Sequence, residues 1–230
     1  MMSLRVIYKC IRKLRSLTHC QNFISALRCY ENIYEMSETK QRIKSVAIDL
    51  FYKKGYFASS VSEIAKGSGI QKAGIYYHYS SKEELLYDIM KATMDDLMIR
   101  LSKIIEDTGD VESRIRSAVH KHVEFHLKRQ RETFIANSEL RGLSPEHYQG
   151  IVRQRDKYEY IFQSLIRCGM DKGIFPKGDV KILSYAILTL CNAGAFWFNA
   201  SGRLSVNEIA YIYEDFVLNG LKHRKLMRET

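Results

Sequence analysis

The sequence predicts an all-α fold, and three observations support this prediction. Its 230 residues contain only 2 prolines and 13 glycines, so long stretches lack the residues that interrupt helices. Apolar side chains recur at helical spacing, for example at Ile43 and Ala47. A serine followed three residues later by a glutamate, the capping-box pattern of a helix start, occurs at Ser60, Ser81 and Ser205.

Composition is that of a folded protein with a basic surface. The chain is 46% hydrophobic and 27% charged, which is enough to form a sizeable core. Its net charge of +10 is consistent with binding to nucleic acid or to an anionic ligand but does not distinguish between them. Five cysteines, an odd number without a CxxC pair, argue against a disulfide framework or a zinc site and fit a reducing cytoplasm.

Three segments are expected along the chain: 1–36, 37–82 and 83–230. The first is basic and has two interpretations. Leu4, Ile7 and Ile11 at helical spacing among arginines and lysines could form an amphipathic helix on a membrane or on DNA. Alternatively, the segment is a loosely held tail or a misassigned start, because a clear helix start follows Met36.

The second segment has the pattern of a helix-turn-helix. A first helix runs from Ser37 or Thr39 to Gly55, which we expect in a left-handed cap. A short second helix begins at Ser60, and a short third helix runs from Gln71 to about Tyr77. In such pairs the second of the two short helices normally enters the major groove of DNA.

The third segment is predicted to be helical throughout. A long helix starts near Lys82, and further helices are expected at about 111–128, 131–141, 144–172, 179–200 and 205–222. The last two are apolar almost all round, which predicts burial on every side and packing against a second copy of the chain. The apolar run 182–198 is shorter than the ~20 residues that a bilayer span requires, so no membrane association is expected.

The stretch SVSEIAKGSGIQKAGIYYHYSSKEELL, with its neighbours from about residue 37 to 92, resembles the DNA-binding domain of TetR/AcrR-type bacterial repressors. This resemblance implies a three-helix helix-turn-helix DNA-binding domain and a C-terminal helical ligand-binding and dimerisation domain. It also implies a cytoplasmic homodimer on a palindromic double-stranded DNA operator, without a cofactor. A ligand in the core would change the separation of the two DNA-reading heads.

Carried over position by position, the resemblance assigns the recognition helix to "IQKAG" and the phosphate contacts to the residues around it. Gly74 departs from the family pattern, which often has Thr or Ser there, so recognition would depend more on the glutamine and lysine before it. Tyr79 stands at a core position, and Tyr77 is either a DNA contact or a packing residue. The implied DNA-binding residues are Ser60, Gln71, Lys72, Ala73, Tyr76, Tyr77, His78 and Lys82.

The C-terminal part more weakly resembles the TetR-type subgroup that senses acyl-CoA thioesters. Such a ligand needs arginines for its phosphates and an apolar cavity for its acyl tail. The alternatives are plain core packing for the aromatic residues and, for the arginines, a solvated helix face paired with Asp156 or Glu159. The candidate ligand residues are Phe134, Arg141, Arg153, Arg155, Asn192, Phe196 and Trp197.

Other functions have weaker support in the sequence. His122 and His126 share a helix face, but no third ligand is near them in sequence, so core or hydrogen-bonded histidines are expected instead of a metal site. No GxSxG, Walker or GxGxxG motif and no catalytic set is found. We expect a ligand-released repressor of catabolic genes. The alternatives are a repressor that senses a lipophilic drug-like compound and a membrane-associated helical adaptor.

Overall fold

The computed structural model describes residues 38–105 and 109–223, and all its regular elements are helices, which confirms the all-α prediction. The basic segment 1–36 and a cap at Ser37 lie outside the described residues. In chain order the helices are α1 (38–54), α2 (Val61–Gly67), α3 (Lys72–His78), α4 (Lys82–Ile105), α5 (Val111–Lys128), α6 (Gln130–Ser138), a 3₁₀ turn (Leu140–Gly142), α7 (Pro145–Asp171), α8 (Val180–Asn192), α9 (Gly194–Trp197) and α10 (Val206–Lys222).

Local capping interactions set several of these helix starts. The capping boxes predicted at Ser60 and Ser205 are both formed. At the start of α4 only half of the box forms, because the Ser81 hydroxyl accepts the backbone N–H of Glu84 at 3.0 Å while the Glu84 carboxylate accepts the backbone N–H of Ser80 at 2.6 Å. Gly55 has φ +85°, which confirms the predicted left-handed cap after α1.

Two apolar cores share the long helix α4. The N-terminal core joins α1, α2 and α3 to the first half of α4 and is centred on Ile43, Phe51, Ile64, Ile75, Tyr79, Leu85 and Leu86. The larger core surrounds α5 and includes Leu101, Val119, Phe162, Phe175 and Leu218. Because α4 contributes to both cores, the expected division at residues 82 and 83 falls at the start of a helix that both packing units share.

The last long helices differ from the prediction in two ways. The expected helix 179–200 ends at Asn192, and the chain then turns through Ala193 into the short helix α9. Burial on every side is wrong for a single chain, because Ile182 on α8 is 61% exposed and Phe216 on α10 is 66% exposed. Both side chains remain exposed in the described part of the chain.

By length and composition, Val180–Trp197 is the one candidate membrane span that the described residues contain. Its main helix, α8, has 13 residues before the turn at Ala193. That length is shorter than the ~20 helical residues that cross a bilayer. The helix α8 by itself is therefore too short to cross a bilayer.

Candidate functional site

The helix α3 presents its first residues to solvent and is held by its buried side. Gly69 adopts φ +66° in the turn before α3, a conformation that favours glycine. Ile75 is buried in the N-terminal core and anchors the helix. Gln71 is the N-cap residue but its side chain makes no capping hydrogen bond. Gln71, Lys72 and Ala73 are all exposed, as a groove-reading helix requires.

The four aromatic residues at the end of α3 face two directions. Tyr76 and Tyr77 are 47% and 71% exposed, and the His78 side chain is half-buried against the Tyr77 ring. Tyr79 is buried, as predicted, and its hydroxyl donates to a carboxylate oxygen of Asp88 at 2.8 Å. Burial and then the Asp88 hydrogen bond raise the pKa of Tyr79. The contacts of Tyr76, Tyr77 and His78 with DNA stay predictions, whereas Tyr79 joins α3 to α4.

Two predicted phosphate contacts already have partners within the protein. The Lys82 ammonium donates to the carbonyls of Tyr56 at 2.9 Å and Ser59 at 2.8 Å, and burial lowers its pKa. An ammonium group has three N–H donors, so one is left for phosphate. The exposed Ser60 hydroxyl donates to the Glu63 carboxylate at 2.8 Å as part of the capping box. The contacts of Lys82 and Ser60 with DNA stay predictions. Within the protein, Lys82 holds the turn between α1 and α2 through its two hydrogen bonds.

A cavity of about 170 Å³ lies in the larger core between α4, α5, α6, α7 and α8. Of the seven predicted ligand residues, Arg155 and Asn192 line it. Met94, Leu97 and Leu188 form part of its apolar wall. The polar lining residues are Thr93, His122, His126, Thr133, Asn137, Arg155, Tyr158, Glu159, Tyr185, Thr189 and Asn192.

The other five predicted ligand residues lie outside the cavity lining. Phe134 packs between the rings of Tyr52 and Phe196, with centroids 5.1 and 5.2 Å away. Phe196 and Trp197 are exposed on α9, because the turn at Ala193 carries them away from the cavity. These three aromatic residues do not line this cavity, and their contact with a ligand stays a prediction. Arg141 in the 3₁₀ turn and Arg153 on α7 are exposed and do not line the cavity.

The alternative interpretation is a solvated helix face on which the arginines pair with Asp156 or Glu159, but Arg155 makes a different contact. The guanidinium of Arg155 donates to the carbonyl of Ala136 on α6 at 2.6 Å. The carboxylate of Glu159 accepts from Gln163 at 2.6 Å and from the Ser184 hydroxyl at 2.9 Å. Burial lowers the pKa of Arg155. The arginine thus joins the cavity to α6 instead of lying on a solvated face.

The two histidines of α5 belong to a buried hydrogen-bond network, which confirms the expectation of hydrogen-bonded histidines. Nδ1 of His122 lies 2.8 Å from the Tyr158 hydroxyl and its Nε2 lies 3.0 Å from Oδ1 of Asn192. His126 stacks on His122 with ring centroids 4.1 Å apart. The part of the chain that the structure describes contains no group of three His, Cys, Asp or Glu residues that could hold a metal ion.

Comparison with known proteins agrees with this architecture. The family model "Bacterial regulatory proteins, tetR family" matches residues 43–89, and "Tetracyclin repressor-like, C-terminal domain" matches residues 108–221. The TetR family transcriptional regulator PfmR from Thermus thermophilus, known from a crystal structure, has 31% sequence identity to this chain. The two structures superpose with a TM-score of 0.73, covering 79% of this chain and 100% of PfmR.

The chain belongs to the TetR family of bacterial regulatory proteins. It is therefore a DNA-binding transcriptional regulator, and the family is not one of enzymes. The segment α2–turn–α3 is its helix-turn-helix.

Two further relatives of this TetR-family protein have known ligands or regulatory roles. The HTH-type transcriptional repressor KstR2 of Mycobacterium tuberculosis, a ketosteroid transcriptional regulator, is 22% identical over 189 residues, which cover 81% of this chain and 94% of KstR2. The structure of AibR in complex with isovaleryl coenzyme A and operator DNA is 25% identical, with a TM-score of 0.71 over 80% of this chain and 98% of AibR.

In this TetR-family protein one short segment touches both the cavity and the DNA-reading head. Ala136 on α6 lines the cavity and accepts the hydrogen bond from Arg155. Six residues later, Gly142 packs so closely on the Tyr56 ring and on Leu86 that an added Cβ would lie within 2.8 Å of both. The segment Ala136–Gly142 therefore connects the cavity lining with the turn between α1 and α2.

Proposed function

We propose that this protein is a homodimeric repressor of catabolic genes that an acyl-CoA thioester releases from a palindromic operator in the cytoplasm. The observation that carries the proposal is the shared segment Ala136–Gly142, which borders the core cavity at one end and the DNA-reading head at the other. A ligand that binds better to one position of α6 shifts the head with it, so effector and operator oppose each other reciprocally.

The relatives and the charge distribution support the acyl-CoA class. KstR2 is a ketosteroid regulator and AibR binds isovaleryl coenzyme A, and both share the fold along most of this chain. A cavity of about 170 Å³ is far smaller than a whole coenzyme A, so only the acyl end would be enclosed. The exposed Arg141 and Arg153 are left to contact the phosphates outside the cavity.

We expect the operator contacts to depend on the first residues of α3. Lys72→Ala should weaken binding to the operator in the protein's own promoter about tenfold or more, because a side chain that reads a base edge contributes ~1–3 kcal/mol. Lys172→Ala, an exposed lysine at the end of α7, removes the same charge far from α3 and is the matched control. Gel-shift titration over a range of salt concentrations measures both.

Equal losses for Lys72→Ala and Lys172→Ala would show that only overall charge matters. If the wild-type protein bound its own promoter no more tightly than random DNA, the operator proposal would be wrong.

Effector release is tested with a panel of acyl-CoA thioesters, with free coenzyme A as the control. A thioester that acts in the cavity should release the DNA and stabilise the free protein, by ~2.7 kcal/mol at a concentration of a hundred times Kd. Gel shift and the change in Tm report the two effects. A panel that changes neither would rule out the acyl-CoA class and would leave the operator result unaffected.

A further inference from the structure

The inner wall of the cavity has a hydrogen-bond pattern that restricts what can bind there. Among its residues, Tyr158, His122 and Asn192 form one chain. When the Tyr158 hydroxyl donates to Nδ1 of His122 over 2.8 Å, Nε2–H of His122 donates to Oδ1 of Asn192 over 3.0 Å. In this arrangement both ring nitrogens of His122 are occupied, so His122 is not itself free to bind a ligand.

His126 differs from His122, because only its Nδ1 has a hydrogen-bond partner among the described residues. Its Nδ1 lies 2.9 Å from the carbonyl oxygen of His122, which can only accept, so Nδ1 carries the proton. Nε2 of the neutral ring is then an acceptor, and no described residue donates to it. Burial lowers the pKa of His126 to about 4, so the ring stays neutral at neutral pH. The ring is 4% exposed and borders the cavity.

Donors are present on the same lining. The side-chain nitrogen of Asn137 is buried without a hydrogen-bond partner among the described residues. The guanidinium of Arg155, which also lines the cavity, donates one N–H to the Ala136 carbonyl at 2.6 Å and carries further N–H donors. A buried polar atom without a partner is costly, so a ligand that satisfies these groups gains affinity over one that does not.

The volume limits the size of the enclosed group. A dry protein cavity of about 150 Å³ is known to hold benzene, and this cavity measures about 170 Å³. A group about the size of benzene or of a short acyl chain is therefore matched to this volume.

We propose that the cavity encloses a short acyl or aryl group that carries a hydroxyl, which donates to Nε2 of His126, and a carbonyl or second oxygen, which accepts from Asn137 or Arg155. The inference rests on the proposed effector site and adds the chemistry of the enclosed group. The enclosed group is therefore a small group that carries oxygen atoms, and not the purely apolar acyl tail that the sequence suggested.

The test compares ligands that differ by one hydroxyl. Isothermal titration should show 3-hydroxybutyryl-CoA binding about tenfold tighter than butyryl-CoA, in keeping with the ~1–3 kcal/mol that a buried polar group loses without a partner. His126→Leu should remove this discrimination. Thr189→Val, which removes a hydroxyl elsewhere on the lining, should preserve it. Equal affinities of the two thioesters for the wild-type protein would overturn the inference.

A second pair of probes separates this inference from the acyl-CoA proposal. Phenol and toluene match the cavity in size and contain no coenzyme A. We expect phenol to bind the wild-type protein about tenfold more tightly than toluene and to lose this advantage in His126→Leu. If neither thioester binds but phenol is preferred, the acyl-CoA class fails and the cavity chemistry holds. Equal affinities of the wild-type protein for toluene and phenol would contradict the proposed cavity chemistry. This outcome does not depend on whether His126→Leu folds.

Discussion

Replacing Phe216 with aspartate should convert the proposed dimer into a monomer. Phe216 lies on the outer face of α10, 66% exposed, beside the exposed Ile212. Ile182 and Tyr185 on α8 are also exposed. Large exposed apolar side chains on successive turns of a helix are candidates for a protein–protein interface, and a symmetric pair of copies would cover them on both chains.

The size of the effect follows from the symmetry of the interface. Burying a phenylalanine contributes ~1.5–3 kcal/mol, and in a two-fold dimer the same residue is buried twice. Aspartate removes both contributions and adds two charges that lose their hydration. The dimer dissociation constant should therefore rise at least about a hundredfold. Sedimentation equilibrium over a range of protein concentrations measures it.

Asn207→Asp is the matched control for this substitution. It places the same charge on an exposed position of the first turn of α10, where the helix dipole favours a carboxylate. This variant should remain dimeric, and Phe216→Asp should retain its helical circular dichroism. A dimeric Phe216→Asp would place the interface elsewhere. A monomeric one should also bind the palindromic operator much more weakly, since two half-sites are then read independently.

The DNA-reading end was predictable from the sequence because its determinants are local. A capping box spans four residues, and a left-handed glycine such as Gly55 ends a helix wherever the flanking pattern is helical. The inward position of Tyr79 was implied by the family resemblance. The bonds that Lys82 makes to the carbonyls of Tyr56 and Ser59 were missed, because they join positions 26 and 23 residues apart.

The cavity was harder to predict because its residues come from distant parts of the chain. The spacing of His122 and His126 was visible, but the partners of His122 are 36 and 70 residues away. Phe196 and Trp197 lie outside the cavity lining because helical periodicity continues past Asn192, whereas the chain turns at Ala193. At Gly194 an added Cβ would lie 2.9 Å from Leu127, so the turn is fixed by close packing on α5 and not by a local breaker such as proline.

Lowering the pH from 7 to 5 should destabilise the wild-type protein, and His126→Leu should reduce this loss. Burial holds the pKa of His126 at about 4 and that of His122 well below its usual value. In the unfolded chain a histidine titrates near 6.5. Below that pH the unfolded state therefore binds protons that the folded state does not bind, and stability falls as pH falls.

For His126 alone the expected loss between pH 7 and pH 5 is about 2 kcal/mol, which follows from the difference between the folded and unfolded pKa values. Urea unfolding at the two pH values measures it. Glu63 and Glu124, whose pKa values are lowered to about 2 chiefly by hydrogen bonds to lysines, lose their contributions only at lower pH and do not interfere.

The comparison between variants isolates His126 from the other histidines. Partial burial and then Lys40 also lower the pKa of His78. The pH dependence of wild-type stability therefore contains contributions from more than one histidine. Leu127→Ala, a buried neutral neighbour, should lower stability equally at both pH values. The profile of His126→Leu should be shallower than that of the wild type by about 2 kcal/mol over the same interval. If the stability of the two proteins changed equally with pH, the folded protein would protonate His126 near its ordinary pKa. His126 would then not be the neutral hydrogen-bond acceptor that the cavity proposal requires.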